Sequence, residues 1–103
     1  MAGKQNDKMI SAALKSDDST YIEKLAEGYY YGRGRDRSLK TALRLWEKAV
    51  EMGNADAMYY FGVCHYYGDG LPQDKSMAFS LWEQAAGQGH AGAKMSLENL
   101  RSI

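Results

Sequence analysis

YYFGVCHYYGDG, from Tyr59 to Gly70, is an aromatic-rich helical pattern that runs straight into a Gly-x-Gly turn. YYYGRG, from Tyr29 to Gly34, carries the same punctuation, and the offset from Gly32 to Gly68 is 36 residues. An internal repeat is therefore the first reading. The register extends well past the turn: Tyr30 matches Tyr66, Ala42 matches Ala78, Leu45 matches Leu81, Trp46 matches Trp82, and Glu47 matches Glu83. Ala49 with Ala85, Gly53 with Gly89, Ala55 with Ala91 and Ala57 with Ala93 carry it to the end of the unit without an insertion.

One proline and no alternating strand pattern leave helix and short turns. The expected fold is all-α, an α/α solenoid of two helical hairpins with a capping helix at each end, forming one domain over residues 1–103. Residues 1–8 are expected to be loose. A cap helix over about 9–16 presents Ile10, Ala13 and Leu14 on one face and Lys8, Ser11 and Lys15 on the other. Repeat one covers about 20–53. Thr20 and Glu23 are expected to form a capping box, with Ile22, Leu25, Ala26 and Tyr29 as core. Ser38 caps the second helix of that unit, with Ala42, Leu45, Trp46, Ala49 and Val50 as its stripe. Repeat two covers about 54–89, with Met58, Phe61, Gly62 and His65 expected inward, Asp74 as cap, and Ala78, Leu81, Trp82 and Ala85 as the second stripe. The closing cap helix runs over about 91–101.

Lys+Arg and Asp+Glu balance at 13 each, so no global field draws the chain to nucleic acid or to an anionic membrane. The single cysteine, Cys64, excludes an intramolecular disulfide framework, and the first residues lack a secretory apolar run. No apolar stretch approaches the ~20 residues that cross a bilayer. The expected setting is cytoplasmic. The Gly-x-Gly turns follow no strand and precede no Lys-Ser/Thr, so they do not read as a phosphate loop. His65 and His90 have no companion ligands at metal spacing, so neither a metal nor another cofactor is expected. Cys64 and His65 point about 100° apart on a helix, which disfavours a nucleophile pair and suits a packed thiol. No enzyme constellation appears.

These residues resemble the Sel-one-like repeat family, the tetratricopeptide-type helical hairpins with a Gly-x-Gly turn in each unit. The outline A-x-x-x-L-G-x-x-Y-x-x-G-x-G, then D-x-x-K-A-x-x-W-Y-x-K-A-A-x-x-G, is met by Leu25, Ala26, Tyr29, Gly32, Gly34, Ala42, Trp46, Lys48, Ala49 and Gly53. In the second unit it is met by Phe61, Gly62, Gly68, Gly70, Asp74, Ala78, Trp82, Ala85, Ala86 and Gly89. Thr41, Met77 and His65 depart from it, and both tryptophans stand one place later than the pattern has them. The cysteine-rich branch of that family is disulfide-stapled, and a chain with one cysteine stands apart from it. The resemblance implies a right-handed stack whose first-type helices line a concave, partner-binding surface. By analogy, the groove residues are Glu23, Glu27 and Tyr30, then Tyr59, Val63 and Tyr66, then Met95 and Asn99.

The tyrosines of the second unit exceed what a core needs. They either form a recognition surface or pack on the neighbouring repeat. The leading expectation is a non-catalytic adaptor, scaffold or inhibitor that binds a protein or peptide carrying a Lys or Arg and an apolar anchor. The alternative is a small nucleic-acid-binding regulator using the arginines of the Arg33–Arg37 turn beside Tyr29, Tyr30 and Tyr31. Terminal helices with one unstacked face also allow self-association.

Overall fold

A computed structural model describes residues 2–101, with side chains over residues 8–101. Among the described residues there are six helices and no strand: α1 (Ala2–Lys15), α2 (Ser19–Tyr31), α3 (Leu39–Glu51), α4 (Ala55–Tyr67), α5 (Lys75–Gly87) and α6 (Ala91–Arg101). The fold is all-α. Each helix packs on the next, except that α1 lies against both α2 and α3, and the stack measures 48 × 25 × 20 Å.

The helix ends follow from local chemistry. Asp18, Ser38, Asn54 and Asp74 each sit in extended backbone and accept a hydrogen bond from the N–H three residues on. Each thereby satisfies one of the orphan donors that open a helix. The capping box expected of Thr20 and Glu23 does not form, because Asp18 takes Tyr21 N–H at 3.2 Å and starts the helix two residues earlier. Glu23 is drawn inward instead. Gly32 and Gly68 end α2 and α4 at φ of 70° and 69°, the left-handed conformation that a Cβ would strain.

The turns themselves are copies. Ser38 N–H donates to Tyr29 O at 2.9 Å and Asp74 N–H to His65 O at 2.8 Å. Arg37 Nε donates to Tyr30 O at 2.8 Å, and 36 residues on Gln73 Nε2 donates to Tyr66 O at 2.9 Å. The chain upstream of Met9, expected to be loose, is helical from Ala2; Met1 lies outside the described residues. The segment is polar but contains no proline, and most of its residues tolerate a helix.

Two apolar clusters fill the stack. The first gathers Ile10, Ala13, Ile22, Leu25, Ala26, Tyr29, Leu45, Trp46 and Ala49, and it also takes Ala57 and Cys64 from α4. The second is built on Met58, Ala78, Leu81, Trp82, Ala85 and Ala93. Lys8, Ser11 and Lys15 are exposed on α1, opposite buried Ile10 and Ala13. On α4 the inward residues differ from the expected set: Met58 and Gly62 are buried, whereas Phe61 and His65 are half-buried and Ala57 and Cys64 occupy the interior. That helix is apolar almost all round, so its pattern does not select a face. Burial pushes the Cys64 thiol up to about 12, in keeping with a packed, unreactive sulfur.

Candidate functional site

The face carried by α2 and α4 is organised by the two tryptophans beneath it. Trp46 Nε1 donates to Glu23 Oε2 at 3.2 Å; Trp82 Nε1 donates to the Tyr59 carbonyl at 3.1 Å. Glu23 and Tyr59 are themselves 36 residues apart, so one repeat position supplies the acceptor in both units, once from a side chain and once from the backbone. The cause lies three residues further along each helix. A Cβ at Gly62 would lie 2.5 Å from Trp82 Nε1, so only glycine lets that indole reach the backbone. Ala26 occupies the same position in the first unit, and there a carboxylate reaches out to meet the indole.

Glu23 is consequently 1% exposed and Glu27 is 8% exposed, so neither is the open groove wall that was expected. Burial and the adjacent Glu27 carboxylate push Glu23 up to about 8. Its Oε1 accepts no hydrogen bond and meets only the Lys24 ammonium, 3.7 Å away, and a proton there turns Glu23 into the donor toward Glu27. Burial raises Glu27 too, but the bond from Glu23 and the cations Lys24 and Arg33 outweigh it, and Glu27 titrates below the ordinary carboxylate range. Lys24 Nζ stands 3.2 Å from Glu27 Oε2 and Arg33 Nη1 stands 3.8 Å from Glu27 Oε1. One negative charge thus faces two cations, and the charge of the expected groove residues Glu23 and Glu27 is neutralised within the chain.

Above this pair the rings form a continuous line. Tyr31 meets Tyr30 edge-on at 4.9 Å, Tyr30 tilts over Trp46 at 5.2 Å, and Tyr60 stacks on Trp46 at 5.0 Å and 6°. Tyr59 meets Tyr60 at 5.4 Å and stacks on His90 at 4.9 Å. Six rings therefore run from α2 to the start of α6. Tyr30 is half-buried and its hydroxyl donates to Asp69 Oδ2 at 3.2 Å. Tyr66 belongs to a separate group with Phe79 and Trp82, and Val63 is half-buried in the second cluster. Met95 and Asn99 stand exposed on α6, Met95 at 60%. The tyrosines pack between helices on one edge and meet solvent on the other.

Tyr31 and Tyr67, at 48% and 64% exposure, are the most open tyrosines of α2 and α4 and were not among the expected groove residues. Their equivalence at the repeat offset, each just before a turn glycine, was the available signal. Tyr60, one of the surplus tyrosines though not among the expected groove residues, stacks on Trp46, a contact that spacing alone does not give. Burial and the nearby glutamates raise its hydroxyl well above the ordinary phenol range.

The arginine turn is engaged internally. Arg33, Arg35 and Arg37 sit over Tyr31, Tyr29 and Tyr30 at 4.5, 5.0 and 5.3 Å, and Arg37 also holds a helix-end carbonyl. His90 opens α6: its Nδ1 accepts from Ala93 N–H at 3.0 Å, which leaves Nε2–H to donate to Asp56 Oδ1 at 2.8 Å. Among the described residues no three His, Cys, Asp or Glu gather as metal ligands, and no helix is long and apolar enough to cross a membrane.

Comparison with known proteins agrees with this architecture. A family model described as Sel1 repeat matches residues 22–54 and 55–90. The crystal structure of a Sel1 repeat protein from Oxalobacter formigenes is similar at 26% identity and a TM-score of 0.74, over 79% of this chain and 33% of that one. So is that of c5321, a protective antigen present in uropathogenic Escherichia coli strains and displaying an SLR fold. It matches at 26% identity and a TM-score of 0.77, over 87% of this chain and 19% of that one. The chain thus spans a third or less of the length of either. No curated protein matches it. With two adjacent family units laid over the two hairpins that the tryptophans organise, the chain belongs to the Sel1 repeat family.

Proposed function

We propose that this chain is a non-catalytic adaptor, scaffold or inhibitor that holds a partner peptide or protein against the face carried by α2, α4 and α6. Sel1 repeats are generally protein-interaction modules and typically non-catalytic. The observation that supports the reading here is the line of six rings from Tyr31 to His90. Rings fixed against one another lose little entropy when a partner covers them, which is why tyrosine is favoured on recognition surfaces. Contact falls on Tyr59, Tyr60 and the open edges of Tyr31 and Tyr67, with Val63, Tyr66, Met95 and Asn99 continuing the face. Tyr30, Glu23 and Glu27 hold it from below.

The Lys or Arg expected of the partner loses its electrostatic reason, because Lys24 and Arg33 already meet the Glu27 charge. The partner is instead expected to present apolar or aromatic side chains. The reducing cytoplasm suits a chain whose one thiol is free and buried. The test is affinity capture from nuclease-treated native lysate, using the wild type and a Tyr31→Ala, Tyr67→Ala, Met95→Ala variant. All three positions are exposed, so the melting temperature should hold. Loss of capture supports the reading; undiminished capture by the variant overturns it.

A further inference from the structure

A second surface lies on α3, away from the tyrosine face. Leu39, Leu43, Phe61, Gly70 and Leu71 line an open groove of about 530 Å³, within the range of built binding sites, and Lys40, Arg44 and Glu47 stand at its rim. It continues along α3 past Arg44 and Glu47 toward Leu14, Lys48 and Glu51. Glycine shapes its edge. At Gly70, with φ of 77°, an added Cβ would lie 2.7 Å from Leu43 Cδ1 and 2.8 Å from Leu39 Cδ2, so the turn sits directly on α3. Gly34, its counterpart in the first unit, has nothing within 4 Å.

The charges on this helix are not what the fold needs. Lys40, Arg44 and Lys48 recur at i, i+4 and i+8 and repel along the helix, with Glu47 and Glu51, three residues after Arg44 and Lys48, offsetting part of that charge. None of the three has a carboxylate partner among the described residues. At the repeat offset the second unit has Ser76, Ser80 and Gln84 on α5, so the same hairpin is built without a cation there. The α3 N-terminus adds its positive dipole end beside Leu39 and Lys40.

We infer that the α3 groove is a docking site for an acidic amphipathic segment of another protein, with one or two large apolar side chains entering between Leu39, Leu43, Phe61 and Leu71 and carboxylates lying over Lys40 and Arg44. Residues Leu39 to Glu51 present about 18 Å of helix, which matches three turns of a partner helix. This surface is separate from the tyrosine face, so either can fail without the other.

The probe is a fluorescein-labelled synthetic peptide of about twelve residues with Leu and Phe on one helical face and Glu beside them. Fluorescence anisotropy should show binding that weakens with salt and falls about tenfold or more in Lys40→Glu, Arg44→Glu. These residues are exposed and unpaired, so the variant should melt with the wild type. A peptide with Lys in place of Glu should prefer the variant. Amide shifts should cluster on Leu39, Leu43, Phe61 and Leu71. The inference is overturned by no binding, by equal affinity of the two proteins, or by shifts confined to α2, α4 and α6. Sedimentation of a dimer whose formation blocks the peptide would assign the groove to a second copy and overturn it too.

Discussion

An indole N–H buried without an acceptor costs about 1–3 kcal/mol, and a single methyl group decides how each unit avoids that cost. Where Gly62 leaves room, Trp82 reaches the Tyr59 carbonyl; where Ala26 does not, Glu23 is buried to serve Trp46. Gly62→Ala is therefore expected to destabilise the fold by about 1–3 kcal/mol through overpacking against a fixed ring, although alanine is the better helix former by about 1 kcal/mol. Ala26→Gly should cost no more than that propensity and cavity difference. Chemical denaturation of both variants checks the contrast. Glu23 also makes stability depend on pH. Its folded value, about 8, lies above the ordinary 4.5, so the folded state binds a proton that the unfolded state has already released. Its contribution is complete below about 4.5 and is lost as pH rises through about 8. The depressed Glu27 acts the other way, and only as pH falls below 4.5. Glu23→Gln keeps an acceptor for Trp46 and removes the titration, so melting curves between pH 5 and pH 8.5 should fall for the wild type and flatten for the variant.

At the scale of helices, most of the architecture was legible because two copies of one pattern point to the same boundaries. Ser38 and Asp74 were readable as caps from position alone, and the turn glycines marked where α2 and α4 end. Misreadings arose where one signal had two physical meanings. Thr20 with Glu23 fits a capping box, but Asp18 lies in extended backbone two residues earlier and captures Tyr21 N–H first. Asp18→Ala is accordingly expected to cost about 1 kcal/mol and Thr20→Ala less than about 0.5 kcal/mol. Thermal unfolding of the pair tests which residue caps, and a larger loss at Thr20 would contradict the assignment. Glu23 reads as surface by its charge; its burial depends on an indole 23 residues away, which periodicity does not encode. On α4, Phe61 and Cys64 are three residues apart on a helix apolar almost all round, and only the packed neighbours decide that the smaller goes inside. The candidate site was legible to the same extent. Its helices and several of its tyrosines followed from the repeat, but which rings stay open depended on contacts between units.

For the molecule as a whole, the question is whether two stacked units behave as one. Repeat arrays gain stability from nearest-neighbour interfaces as well as from each unit, and here both clusters draw on residues at the interface. Ala57 and Cys64 of α4 belong to the first cluster, while Val50 and Phe61 touch both clusters. Tyr30 bonds to Asp69, Asn54 to Ser19 and Gln88 to the Gly53 carbonyl, each across a unit boundary. Removing Trp46 takes the central ring from the line and leaves Glu23 buried without its donor, so Trp46→Ala should cost about 3–5 kcal/mol. That is a large share of the roughly 5–15 kcal/mol of an ordinary domain. If the units are coupled, α5 and α6 must weaken with α2 and α3 although none of their contacts has been touched. In this variant the remaining Trp82 reports the second unit by fluorescence, while far-ultraviolet circular dichroism reports all helices. Coincident urea midpoints, both shifted well below those of the wild type, are the expected result. A Trp82 transition left at its wild-type midpoint would mean that the second hairpin stands on its own.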